Sequence, residues 1–234
     1  MILFLTPPES VAGHLIAEAD EAWHAYTNHS FVRQLGAGSL SERAFRSYLI
    51  QDYLFLIHFA RAYGLAAFKA DTIEDIRQAT VTQAALINDE IRLHVDYCYK
   101  FGIGETEMAA TPEHPANIAY TRFVMERGLA GDLLDLLVAL APCVIGYGEI
   151  GRRLADASAS DDNPYRSWIE MYSGADYGEV VGRAIDQLDR VAVSRLGADP
   201  LSSPRWAELT KTFEQACRLE AGFWQMGLDL GAGD

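Results

Sequence analysis

The 234 residues carry 33 acidic against 19 basic side chains, and the resulting formal charge of -14 repels a phosphate backbone and argues against direct nucleic-acid binding. Half of the residues are apolar and 11% are aromatic, enough to fill a large interior and to exclude a disordered chain. Three cysteines, Cys98, Cys143 and Cys217, are odd in number and far apart, which excludes a disulfide framework or a zinc knuckle and leaves each to be weighed as a thiol.

Residues 1–5 are too few, and lack the basic leader, to read as a signal peptide, and no stretch approaches the roughly 20 apolar residues that cross a bilayer. The expectation is a cytoplasmic protein with no membrane contact, organised as a single helical domain over 1–234. Helix starts are expected at Thr6-x-x-Glu9 with Pro7 in the first turn, at Ser39-x-x-Glu42, and at Ser203 followed by Pro204. Loops are expected near 28–38, 102–115, 158–163 and 197–203. Between them apolar residues recur at spacings of three and four, with no convincing period-two run, so the fold class is all-α, a bundle of about seven or eight helices.

In the helix expected over 40–69, Phe45, Tyr48, Leu49, Phe55, Leu56 and Phe59 define the inward side and Asp52 interrupts it. Alone, Asp52 reads as a carboxylate satisfied by a tyrosine hydroxyl or a neighbouring arginine. Further on, Glu90 and His94 are spaced to share a metal, but no second Glu and His set completes a di-iron constellation, so they read as solvated or structural. His14 and His24 are read the same way.

The helix expected over 132–155 turns Leu136, Leu140, Cys143, Tyr147, Ile150 and Leu154 inward. Pro142 should bend it by removing an amide and crowding the carbonyl of Val138, and Gly146 and Gly148 weaken it further, which points to close approach by a neighbour or ligand. The run from Gly146 to Gly151 spells G-x-G-x-x-G, but a dinucleotide turn needs a strand before it and a Leu-rich helix precedes it here. In the last helix Leu209, Phe213, Ala216, Phe223 and Gly227 share a face on which Glu220 also sits. Cys98 and Cys217 read as buried structural thiols. An acid, a thiol and a second acid on three aromatic-lined stripes point to one converging pocket.

The run Phe45-Arg46-Ser47-Tyr48-Leu49-Ile50-Gln51-Asp52-Tyr53-Leu54 with His58-Phe59-Ala60, then Pro142-Cys143-x-x-x-Tyr147-x-Glu149-x-Gly151, Trp168-Ile169-x-x-Tyr172 and Glu220-x-x-Phe223-Trp224-x-Met226, resembles the TenA family, thiaminase II. The resemblance implies a haem-oxygenase-like helical bundle, a homotetramer, and an aminopyrimidine aminohydrolase that replaces the amino group of 5-aminomethyl-4-amino-2-methylpyrimidine by hydroxyl or cleaves thiamin. It implies Cys143 as nucleophile, Glu220 as proton donor to a ring nitrogen and Asp52 as ligand of the pyrimidine amino edge, with Tyr147, Tyr172 and Tyr120 around the ring. No cofactor and no metal are expected. A mid-helix cysteine has no helix N-terminus to activate it, so Asp52 is the candidate acceptor of its proton. The family often has a tyrosine three residues after the aspartate, where this chain has Phe55, leaving another phenol to substitute. Two other readings stand beside this one: a metal- or cofactor-dependent oxidase on the same scaffold, and a regulator that binds aminopyrimidine without turnover.

Overall fold

The computed structural model describes residues 6–157 and 162–232. Among these there is no strand, and the helices run α1 (Val11–Glu18), α2 (Asp20–Thr27), α3 (Ser30–Gly36), α4 (Glu42–Lys69), α5 (Ile73–Ala85), α6 (Ile91–Lys100), α7 (Glu105–Ala110), α8 (Pro115–Ala130), α9 (Leu133–Ala157), α10 (Arg166–Ser173), α11 (Ala175–Leu196) and α12 (Trp206–Ala232). A π-helical turn, Leu86–Glu90, joins α5 to α6 without a break. The all-α expectation holds, but the count exceeds seven or eight, in part because α3 and α7 occupy segments that read as loops. Most of the loop expected over 158–163, and the leader question at 1–5, lie outside the described residues.

Two expected helix starts move by a few residues. Ser10, not Thr6, caps α1 by accepting from the Gly13 amide at 3.0 Å, and Ser41, not Ser39, caps α4 by accepting from Ala44 at 3.2 Å. Ser39 is instead held in the turn after α3, where its amide donates to Gln34 at 2.9 Å. At the third site, Ser203 accepts from the Trp206 amide at 2.9 Å through its carbonyl, as expected of a residue opening α12.

The long helices α4, α9 and α12 pack on one another and carry most of the core, with α8 against all three, α10 and α11 on α9, and α5 on α4. By length and composition alone α9 could span a bilayer, which corrects the expectation that no stretch could. However, 89% of its most apolar window is buried inside the protein, as befits a central core helix. It runs through Pro142, whose carbonyl accepts from the Tyr26 hydroxyl at 3.3 Å. The glycines of α9 answer to close neighbours: a Cβ on Gly146 would sit 2.3 Å from the Tyr26 ring, and one on Gly151 2.5 Å from the Tyr172 backbone. The G-x-G-x-x-G run is therefore a packing surface within a helix.

Candidate active site

A cavity of about 570 Å³ opens beside α9, walled by α4, the end of α5, the π-helical turn and the α10–α11 junction. Phe59, Leu86, Glu90, Cys143, Val144 and Tyr177 are among its lining residues. The size suits a small heteroaromatic ligand. Asp89, Glu170 and Asp176 stand exposed along its wall, and no Lys, Arg or His lines it.

Cys143 is half-buried at this wall, placed there by the three-and-four spacing of α9. Its thiol stands beside the carboxyl group of Glu220, which projects from α12 and is buried. The Tyr120 hydroxyl, from α8, donates to Glu220 Oε1 at 2.9 Å. Burial pushes the Glu220 carboxyl up to about 8 against the pull of the Tyr120 hydrogen bond, so it holds its proton near neutrality. Burial, then the charge of Glu220, then those of Glu90 and Asp52, raise the Cys143 thiol well above its ordinary range. Sulfur here is a protonated thiol that needs a base at the moment of attack.

Asp52, from the middle of α4, sits behind this pair. Its Oδ2 accepts from the Tyr48 hydroxyl at 2.9 Å and from His94 Nε2 at 2.7 Å. Tyr48 in turn accepts from the Trp168 indole at 3.3 Å and lies 3.5 Å from the Tyr147 hydroxyl. His94 is fully buried, and its Nδ1 lies 2.8 Å from the Glu90 carbonyl oxygen. A carbonyl can only accept, and so can a carboxylate, so both ring nitrogens carry protons and His94 is an imidazolium paired with Asp52. Burial pulls its pKa down, but the hydrogen bond and charge of Asp52, with the charge of Glu90, outweigh this and leave it raised.

Glu90 closes the π-helical turn. The Tyr172 hydroxyl donates to its Oε1 at 2.6 Å, and burial lifts its carboxyl to about 7. Glu90 lines the cavity from the end of this turn, and one helical turn on His94 reaches Asp52.

The expected residues thus fall into two linked groups. Glu220 accepts from Tyr120 and has Cys143 beside it, while Asp52 and Tyr147 meet at Tyr48, a residue outside the expected set. Of the seven expected residues, Cys143, Glu220, Asp52, Tyr120, Tyr147, Tyr172 and Phe55, Cys143 lines the cavity directly, and the others are buried behind it. The expected Asp52–thiol hand-off is not the arrangement seen: the thiol faces Glu220, and Asp52 Oδ2 is occupied by Tyr48 and His94. Tyr172 uses its hydroxyl on Glu90 and packs its ring 4.9 Å from Tyr147. Phe55 stacks between Tyr120 and Phe59, at 5.1 Å from each, so the phenol nearest its place is Tyr120.

Of the pair read as solvated or structural, His94 is fully buried against Asp52, and Glu90 is half-buried and lines the cavity. Their hydrogen bonds leave neither ring nitrogen of His94 free for a metal, and no cluster of three His, Cys, Asp or Glu among the described residues is arranged to hold one. His14 and His24 do not line the cavity. Sequence reasoning passed over Tyr177, whose hydroxyl donates to the Val144 carbonyl at 3.3 Å. It also undervalued His94, although His94, Tyr97 and Cys98 repeat at the helical spacing of a buried stripe.

A family profile described as TENA/THI-4/PQQC matches residues 16–230. The chain is 37% identical over 217 residues to an uncharacterised protein of Haemophilus influenzae, covering 92% of this chain and 98% of that one. It is 34% identical to an aminopyrimidine aminohydrolase of Halalkalibacterium halodurans, over 93% of this chain and 95% of the relative. In three dimensions it is similar to a TenA family transcription regulator from Silicibacter sp. TM1040, with a TM-score of 0.91 and 50% identity over 94% of this chain and 98% of that one.

Proposed function

Because the chain belongs to the TENA/THI-4/PQQC family, we propose that it is an aminopyrimidine aminohydrolase of the thiaminase II type, working by covalent catalysis from Cys143. The observation that carries this reading is a thiol at the cavity wall, beside a buried carboxyl group that keeps its proton near neutrality. The similarity to the Halalkalibacterium halodurans enzyme supports the substrate class.

A neutral pyrimidine resists loss of a group from its methylene carbon. Addition of sulfur to the ring, with a proton from Glu220 delivered to a ring nitrogen, converts the ring into an electron-rich system that expels the amine. Water then adds at the methylene, sulfur leaves, and the ring-nitrogen proton returns to Glu220. Tyr120 holds the Glu220 carboxyl in place. The Asp52–His94 ion pair fixes a carboxylate behind the sulfur for the amino edge of the ring, and Tyr147 and Tyr172 provide the aromatic wall. The carboxylates around the cavity and the absence of a cation favour an aminomethyl ammonium or a thiazolium, both positively charged. The same charge makes a DNA-binding regulator a poor reading. A homotetramer in the cytoplasm remains part of the proposal.

The test is ammonia release from the aminomethylpyrimidine. Wild type should release it, and Cys143→Ser should lose nearly all of that release while its helical circular dichroism stays intact. Full activity in the serine variant rejects the nucleophile.

A further inference from the structure

We propose that Glu90 is a second acid–base catalyst of this site, serving sulfur, leaving amine and attacking water in turn. The inference rests on the hydrolase reading and adds a residue to it. Three observations lead to it. Glu90 lines the same cavity as Cys143, and of the carboxylates there it is the one half-buried, since Asp89, Glu170 and Asp176 are exposed. The other two carboxyls of the site are committed: Glu220 keeps a proton for the ring, and Asp52 is ion-paired to His94. Glu90 is also held in place, by the π-helical turn beneath it and by the Tyr172 hydroxyl at 2.6 Å.

The steps balance. The thiol proton passes to the Glu90 carboxylate as sulfur bonds to the ring carbon and Glu220 protonates the ring nitrogen. The form that reacts is the free amine: its carbon–nitrogen bond breaks, the electron pair goes to nitrogen, and Glu90 returns the proton so that ammonia departs. Water bonds to the methylene and gives a proton to Glu90. The carbon–sulfur bond breaks, the sulfur recovers that proton from Glu90, and Glu220 recovers its own from the ring. Amine and water are consumed, alcohol and ammonia are formed, and the enzyme is unchanged.

The ionisable groups that face Glu90 pull its carboxyl in both directions. His94 of α6 favours its ionised form, and the charge of Asp52 from α4 opposes it. Tyr63 of α4, Tyr172 of α10 and Tyr177 of α11 have pKa values pushed up by burial and stay protonated, as does the Cys143 thiol. A carboxyl lifted to about 7 exchanges protons in both directions at neutral pH.

The experiment uses the full chain and the aminomethylpyrimidine. Glu90→Gln should lower kcat by about 100-fold or more and abolish the acid limb of kcat/KM near pH 7, with KM changed only a few-fold. Its Cys143 should still be alkylated by iodoacetamide to completion, which separates loss of the base from loss of the thiol. Tyr172→Phe removes a hydrogen bond that favours the ionised carboxyl, so the acid limb should move to higher pH; this variant carries the test if Glu90→Gln does not fold. Retention of kcat within about threefold in Glu90→Gln, or an acid limb unmoved in Tyr172→Phe, overturns the assignment. If wild type is active and Cys143→Ser inactive in the same assay, that failure belongs to Glu90 alone; if wild type releases no ammonia, the hydrolase reading fails and Glu90 with it.

Discussion

Replacing Glu220 by Gln keeps an oxygen to accept from Tyr120 and removes the titration. In wild type the carboxyl rises from an ordinary 4.5 when unfolded to about 8 when folded. Between those values the folded chain holds a proton that the unfolded chain has released, so wild-type stability falls as pH rises through this window, at up to about 1.4 kcal/mol per pH unit. From pH 5 to pH 8 the ceiling is about 4 kcal/mol, and relaxation around a buried carboxylate brings the expected figure to about 2–4 kcal/mol. Glutamine has no such slope, while Glu90 titrates in both proteins and cancels in the difference. Urea denaturation of both proteins at the two pH values measures it, with equal m-values confirming that the same surface unfolds. The stability difference should move in favour of Glu220→Gln by that amount on going to pH 8. Parallel pH dependence in the two proteins would refute the claim that Glu220 holds its proton in the folded state.

Two further outcomes follow from the packing. His94→Ala leaves Asp52 buried without its cation, and urea denaturation at neutral pH should show a loss of about 3–5 kcal/mol; an unchanged midpoint would mean that the pair is not ionised. Gly146→Ala drives a methyl group to 2.3 Å from the fully buried Tyr26 ring, so despite the better helix propensity of alanine the thermal midpoint should fall, by the equivalent of about 1–2 kcal/mol.

Much of this arrangement could be read from residue spacing. Asp52, Cys143 and Glu220 were visible because each breaks an apolar stripe on a long regular helix, where a period of 3.6 assigns a face to every residue. The satisfied-carboxylate reading of Asp52 was partly right, since Tyr48 is one partner, but the other is a histidine and not an arginine. Glu90 was weighed with His94 for a metal and not for this cavity, because nothing in Leu-Ile-Asn-Asp-Glu announces the π-helical turn that ends at it. The short helices α3 and α7 escaped because six or seven polar-rich residues carry little periodicity, and local caps such as His29 Nδ1 accepting from the Phe31 amide decide their form.

Soaking a crystal with 4-amino-5-hydroxymethyl-2-methylpyrimidine tests the site most directly. The account predicts the ring in the cavity beside Cys143, with a ring nitrogen within hydrogen-bond reach of Glu220 and the hydroxymethyl group turned toward Glu90. A ring bound away from the sulfur, or a site closed to the ligand, would contradict it.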